Sequence, residues 1–138
     1  MLNEVQLFQV IMTDGVDTQV IVLKETAGDR QLPIFIGASE ARAIERKVKD
    51  VPAPRPLTHD LIMNIIEKMG GAISRVLIHD LRDETYYASV EINQDGEIRE
   101  IDARPSDAIA LAVRSGVAIF VAECVFERTT KKPDVTIL

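Results

Sequence analysis

The sequence is poor in the residues that brace small secreted or metal-bound domains. It has no tryptophan, aromatic residues make up only 4%, and there are one cysteine, Cys124, and two histidines. A single cysteine cannot form an internal disulfide, and this Cys and His content argues against an all-protein structural zinc site. Hydrophobic residues still make up 46% of the 138 residues, so we expect one domain with an aliphatic core.

Long apolar runs and positive charge are also scarce. No run approaches the roughly 20 residues that span a bilayer, and residues 1–8 lack the basic and apolar regions of a signal peptide. The 16 Lys and Arg residues are outnumbered by 22 Asp and Glu, which gives a net charge of −6. Nucleic acid and anionic membranes repel such a chain unless it has a local basic patch or a bridging metal ion. We expect a cytoplasmic protein with no membrane partner.

Turn signals and residue periodicity predict a strand-strand-strand-helix unit that occurs twice. Asp-Gly pairs at 14–15 and 95–96 are typical of hairpin turns, and Pro33 favours either an edge position for the third strand or a strand end. The helices are predicted from apolar residues at helical spacing. The predicted strands are 4–12, 19–24, 32–36, 73–78, 86–92, 98–103 and 118–121, and the unit helices are 38–49 and 106–115.

A further helix is predicted between the two units. The proline-rich segment 50–56 must be a loop, and Thr58 is the expected N-cap of the helix that follows it. An apolar stripe on this helix comprises Leu61, Ile62, Ile65, Ile66 and Met69, and Gly70-Gly71 ends it. The prediction is a single α+β domain over residues 1–127, with helices packed on a mostly antiparallel sheet, and a tail at 128–138.

The last unit helix carries the densest group of polar candidates at its ends. Its middle is apolar on every side, which predicts an enclosed helix. In a structural interpretation, Ser106 caps the helix, Asp107 complements the helix dipole and Arg104 pairs with a carboxylate. In a functional interpretation, the helix start and Arg104 bind phosphate, while Asp102 and Asp107 hold a divalent cation. The residues alone leave both interpretations open.

A second polar cluster, RPLTHD at 55–60, precedes the apolar stripe. His59 is either a general acid or base, or a metal ligand, or simply an exposed residue of the first helical turn. In the structural interpretation Asp60, like Asp107, complements the dipole of its helix.

Basic charge is concentrated between Arg42 and Arg55. This segment has five basic and two acidic residues, so its charge is +3 and that of the remaining chain is −9. The segment is either a solvated helix face or the one place where a polyanion is tolerated.

Three segments, in the same order, resemble the bacterial bifunctional nuclease domain family. They are LPIFIG at 32–37 with Glu40 after it, RPLTHDL at 55–61, and DARPSDAIALAVR at 102–114, of which the last is the most specific. The resemblance covers roughly residues 1–127. It implies an α+β domain that forms a homodimer and hydrolyses the phosphodiester bonds of DNA and RNA.

Candidate roles follow from combining this resemblance with the chemistry of the residues. Arg104 would clamp the phosphate, and His59 would act as acid or base. Asp102 and Asp107 would bind a divalent metal such as Mg²⁺ or Mn²⁺. The substrate-binding candidates are Arg42, Arg46, Arg55, Ser106 and Arg114. The alternative is a noncatalytic module that binds an anion or a protein, which is favoured by the lack of a known nuclease motif.

Overall fold

The computed structural model describes residues 1–130, and the remainder of the predicted tail lies outside the described residues. The strands are β1 (Leu2–Ile11), β2 (Thr18–Glu25), β3 (Gln31–Gly37), β4 (Gly71–Arg82), β5 (Thr85–Gln94), β6 (Glu97–Ala103) and β7 (Ile119–Ala122). The helices are α1 (Ala38–Val48), α2 (Thr58–Lys68), α3 (Pro105–Ser115) and α4 (Glu123–Thr130).

The strands of the described chain form one seven-stranded sheet in the order β3-β2-β1-β7-β4-β5-β6. All neighbouring pairs are antiparallel except β4 with β7, which are parallel. The α+β class and the repeated strand-strand-strand-helix unit are therefore confirmed. The edge position predicted for the strand with Pro33 is also confirmed, because β3 ends the sheet.

The core is aliphatic, and α3 lies at its centre. Residues 108–112 of this helix are all buried, which confirms the predicted enclosed helix. Helix α1 adds the fully buried Ala41 and Ile44 to the same core. Gly116 ends α3 with a φ of 74°, a left-handed conformation that glycine adopts without steric cost. The tight packing of α1 against α3 brings their polar first turns close together.

Two predicted helix caps are wrong. Leu57, not Thr58, is the N-cap of α2, because the Asp60 carboxylate accepts the Leu57 backbone N–H at 2.9 Å from within the first turn. Ser106 lies inside α3 and is buried, and Arg104 occupies the N-cap position. Pro105 is the first helical residue, where its missing N–H costs nothing.

Helix α4 was not predicted. Its segment, ECVFERTT, is short and mostly polar, but it buries Val125 and Phe126 in the core. The Arg30 guanidinium stacks 4.2 Å from the Phe126 ring centroid and also bonds Glu123 at the helix start. These partners lie more than ninety positions away in the sequence, so local periodicity could not show them.

The apolar stripe of α2 is only partly buried. Ile62 and Ile66 pack against the core, whereas Leu61 and Ile65 are each 53% exposed and Met69 is 70% exposed. Helix α2 therefore turns an apolar face to solvent.

The buried position of Ala110 in α3 gives a stability test of the fold. Ala110→Asp places a charge where the side chain is 0% exposed, and we expect the free energy of unfolding to fall by about 3–5 kcal/mol. Leu61→Asp, on the exposed face of α2, is the control and should change it by less than about 1 kcal/mol. Urea denaturation measures both, and an Ala110→Asp protein as stable as the wild type would show that α3 is misplaced.

Candidate functional site

The first turns of α2 and α3 meet at a hydrogen bond between His59 and Asp107. The His59 Nε2 atom lies 2.9 Å from Asp107 Oδ1, and His59 is only 7% exposed. Of the alternatives for His59, the exposed first-turn residue is therefore wrong. An ionised carboxylate only accepts hydrogen bonds, so Nε2 carries the proton and donates to Asp107. The second ring nitrogen, Nδ1, has no hydrogen-bond partner among residues 1–130.

Arg104 binds the same carboxylate. Its Nε donates to Asp107 Oδ2 at 2.8 Å, and its Nη2 donates to Oδ1 at 3.4 Å. Arg104 Nη2 also lies 3.7 Å from Glu40 Oε2, at the start of α1. Both oxygens of Asp107 thus accept hydrogen bonds, while Arg104 Nη1 makes no hydrogen bond with the described residues. We call His59, Asp107, Arg104 and Glu40 the His–Asp cluster.

The electrostatics of the cluster favour an ionised Asp107. Partial burial alone would raise the pKa of its carboxyl, but hydrogen bonds from Arg104 and His59 outweigh burial and hold the pKa below its usual range. The hydrogen bond to Asp107 in turn raises the pKa of the Arg104 guanidinium. A carboxylate fixed in its charged form accepts the hydrogen bond from Nε2 and so sets the tautomer and orientation of the imidazole.

A second ion pair anchors the turn of α2 that carries His59. Arg114 is nearly buried, with a side chain that is 6% exposed, and its Nε donates to Asp60 Oδ1 at 2.9 Å. The same guanidinium donates to the carbonyls of Ala110 and Ala43 at 3.2 and 3.3 Å. Arg114 therefore joins α1, α2 and α3, and its donors are already engaged by the protein.

An open groove of about 610 Å³ adjoins this ion pair. We call it the proline-loop groove, and its lining consists of Arg46, Lys47, residues 50–57, Asp60, Asn64 and Arg114. Three of the predicted substrate-binding residues, Arg46, Arg55 and Arg114, meet here. Arg42 is exposed on α1 and does not line the groove, and Ser106 is buried in α3.

The two carboxylates predicted to bind a metal have different surroundings. Asp102 is exposed on β6, opposite Ser89, and makes no ion pair with the described residues, whereas Asp107 is engaged by Arg104 and His59. No group of three or more His, Cys, Asp or Glu side chains that could hold a metal ion occurs within residues 1–130. The metal assignment stays a prediction.

The sequence predicted no site role for two residues that form ion pairs in this region. They are Glu40 and Asp60, which lie in the motif segments at 32–40 and 55–61. Their partners are 64 and 54 positions away in the sequence. The only local signal was the recurrence of an acidic residue in each helical first turn, which the helix dipole already explains.

Comparison with known proteins places the chain in a family. A model of the bifunctional nuclease domain matches residues 21–134. An uncharacterized protein of Mycobacterium tuberculosis is 41% identical over 124 residues, which cover 90% of this chain and 74% of that protein. The chain belongs to the bifunctional nuclease domain family, and the resemblance noted in the sequence is confirmed.

Plant relatives named as nucleases also match. Bifunctional nuclease 1 of Oryza sativa subsp. indica is 30% identical over 114 residues, covering 80% of this chain and 34% of that protein. Bifunctional nuclease 1 of Arabidopsis thaliana is 30% identical over 105 residues, which cover 73% of this chain and 32% of that protein. The chain thus spans about a third of the length of these plant proteins. Within the described residues, no helix is long and apolar enough to cross a membrane.

The lowered pKa of Asp107 predicts a pH-dependent contribution to stability. Because the folded pKa lies below the unfolded one, the contribution is complete above about pH 4 and is lost as the pH falls through the folded value. Asp107→Asn should therefore lower the free energy of unfolding at pH 7 by about 1 kcal/mol, and this difference should shrink as the pH falls below about 4. Urea denaturation across pH checks this, and a difference independent of pH would contradict it.

Proposed function

We propose that this protein is a nuclease that hydrolyses phosphodiester bonds of DNA and RNA at the His–Asp cluster. The observation that carries the proposal is the contact between His59 Nε2 and Asp107 Oδ1 at 2.9 Å in a chain of the bifunctional nuclease domain family. A carboxylate that orients a histidine leaves the other ring nitrogen to accept or donate a proton. The plant relatives that bear the name bifunctional nuclease support the same reaction class.

The proposed reaction assigns one task to each side chain. Nδ1 of His59 takes a proton from a water molecule, whose oxygen attacks the phosphorus atom. The bond from phosphorus to the leaving oxygen then breaks, and the protonated His59 returns the proton to that oxygen. Asp107 keeps Nε2 as the donor throughout and stabilises the imidazolium.

Arg104 supplies the charge that the phosphorane transition state requires. Its side chain is 65% exposed, and Nη1 remains to donate to a phosphate oxygen while Nε and Nη2 hold Asp107. A donor fixed before the reaction stabilises developing negative charge without reorganisation. Glu40 holds the same guanidinium from α1, which restricts its orientation.

A divalent metal such as Mg²⁺ or Mn²⁺ would supply further charge stabilisation when bound. Asp102 and Asp107 remain the predicted ligands. The cytoplasmic location expected from the sequence likewise remains a prediction.

Cleavage assays on matched histidine variants test the proposal. His59→Gln should lower the rate of DNA and RNA cleavage by about 10²–10⁴-fold, the usual contribution of a general acid or base. His79→Gln changes the only other histidine and should leave the rate unchanged. The readouts are gel assays of plasmid and RNA with Mg²⁺, with Mn²⁺ and with EDTA.

Two outcomes of these assays would contradict the proposal. If His59→Gln cleaves as fast as the wild type, the residue has no catalytic role. If purified wild-type protein cleaves neither substrate in any metal, a noncatalytic binding module is the better description. Loss of cleavage in EDTA alone would support the predicted metal requirement.

We also propose that the chain forms a homodimer. Besides the exposed face of α2, the edge strand β6 presents Ile98 and Ile101, which are 54% and 48% exposed. An open strand edge with apolar side chains is suited to pairing with a second copy. Light scattering at tens of micromolar should give twice the chain mass of 15.3 kDa, and a monomer at this concentration would contradict the dimer.

A further inference from the structure

The proline-loop groove has walls that are fixed by hydrogen bonds before any ligand binds. At the end of α1, the Val51 N–H donates to the Arg46 carbonyl at 2.9 Å, and the Asp50 N–H donates to the Lys47 carbonyl at 3.1 Å. The Arg46 Nη2 group donates to the Pro52 carbonyl at 3.3 Å. Three prolines in residues 50–56 fix further backbone angles. A preformed wall lowers the entropic cost of binding.

The groove carries an excess of positive charge after its ion pairs are counted. Asp60 is paired with Arg114 at 2.9 Å, and Asp50 with Lys47 at 3.7 Å. These two pairs neutralise both carboxylates of the lining. Arg46 donates only to a backbone carbonyl, and Arg55 makes no hydrogen bond or ion pair with the described residues. Two guanidinium groups therefore remain uncompensated in an acidic protein.

One buried nitrogen atom of a residue in the groove lining has no hydrogen-bond partner among the described residues. The Nε atom of Arg46 is the only buried side-chain nitrogen or oxygen of the described chain without a hydrogen bond. Buried donors are nearly always satisfied, and an unsatisfied donor on a charged group is costly. The guanidinium that carries this nitrogen belongs to a residue that lines the groove.

We propose that the proline-loop groove is a phosphate-binding site for the backbone of a nucleic-acid strand, held by Arg46 and Arg55. Guanidinium groups bind phosphate oxygens through charge-assisted hydrogen bonds. The same turn of α2 supplies His59 to the His–Asp cluster, and Leu57 and Asp60 to the groove. A strand held in the groove therefore lies next to the turn that carries the proposed catalytic histidine. This assignment of a strand rests on the proposed nuclease function.

Binding without cleavage separates the groove from the catalytic cluster. Fluorescence anisotropy of labelled 12-nucleotide single-stranded DNA and RNA in EDTA, at low salt, compares the wild type with Arg46→Gln/Arg55→Gln. We expect the dissociation constant of this variant to rise at least about tenfold, since two charged hydrogen-bond donors are lost. The slope of log affinity against log salt should fall in magnitude by about 1.4 for DNA.

The matched control removes the same net charge elsewhere. Lys49→Gln/Lys68→Gln changes two exposed lysines outside the groove and should raise the dissociation constant by less than about threefold. Arg55→Gln alone guards against a folding defect, because its side chain has no partner among residues 1–130, and it should still weaken binding severalfold. Urea denaturation of each variant verifies that it is folded.

Three results would overturn the proposal. They are equal weakening in the lysine control, no weakening in either arginine variant, and binding of inorganic pyrophosphate that Arg46→Gln/Arg55→Gln weakens, without binding of either oligonucleotide. Oligonucleotide binding that the double arginine variant weakens, combined with wild-type cleavage by His59→Gln, would instead contradict the catalytic assignment alone. The two proposals can therefore fail separately.

Discussion

The carboxylate of Asp107 is the point on which the arrangement of this site depends. It accepts hydrogen bonds from His59 on α2 and from Arg104 before α3, and Arg104 links it onward to Glu40 on α1. Burial of a charge in a protein interior is unfavourable unless partners compensate it, and here two partners do so. Asp107 therefore links the first turns of α2 and α3 directly and reaches α1 through Arg104. One nitrogen of His59 and one of Arg104 have no hydrogen-bond partner among the described residues.

The fold could largely be predicted from the sequence because its determinants are local. Strand alternation, the Asp-Gly turns and the glycine that ends α3 act over a few residues, and each is visible in the printed sequence. The elements that escaped prediction depend on distant contacts. Helix α4 is stabilised by burial of Val125 and Phe126 and by the contact of Arg30, which is distant in the sequence, with the Phe126 ring. The cap of α2 depends on the Asp60 carboxylate rather than on the residue type at position 58.

Three residues of the candidate site, His59, Arg104 and Asp107, were named from the sequence, but the contacts among them were not. The polar starts of α2 and α3 were recognised, yet no periodicity could show that His59 is buried against Asp107, 48 positions away. Arg114 illustrates the same limit, because the sequence suggested a substrate contact, while the structure engages its donors with Asp60 and two backbone carbonyls. A charged residue in a motif can be a ligand contact or an internal brace, and only its neighbours distinguish the two.

A double-mutant cycle on cleavage tests most directly whether His59 and Asp107 act as one catalytic unit. Cleavage rates are measured for the wild type, His59→Gln, Asp107→Asn and the double variant on one labelled DNA substrate. If Asp107 acts through His59, the double variant should be no slower than His59→Gln alone, because groups that act together lose their effect together. A double variant whose loss equals the product of the two single losses would contradict the account, since the two side chains would then act independently.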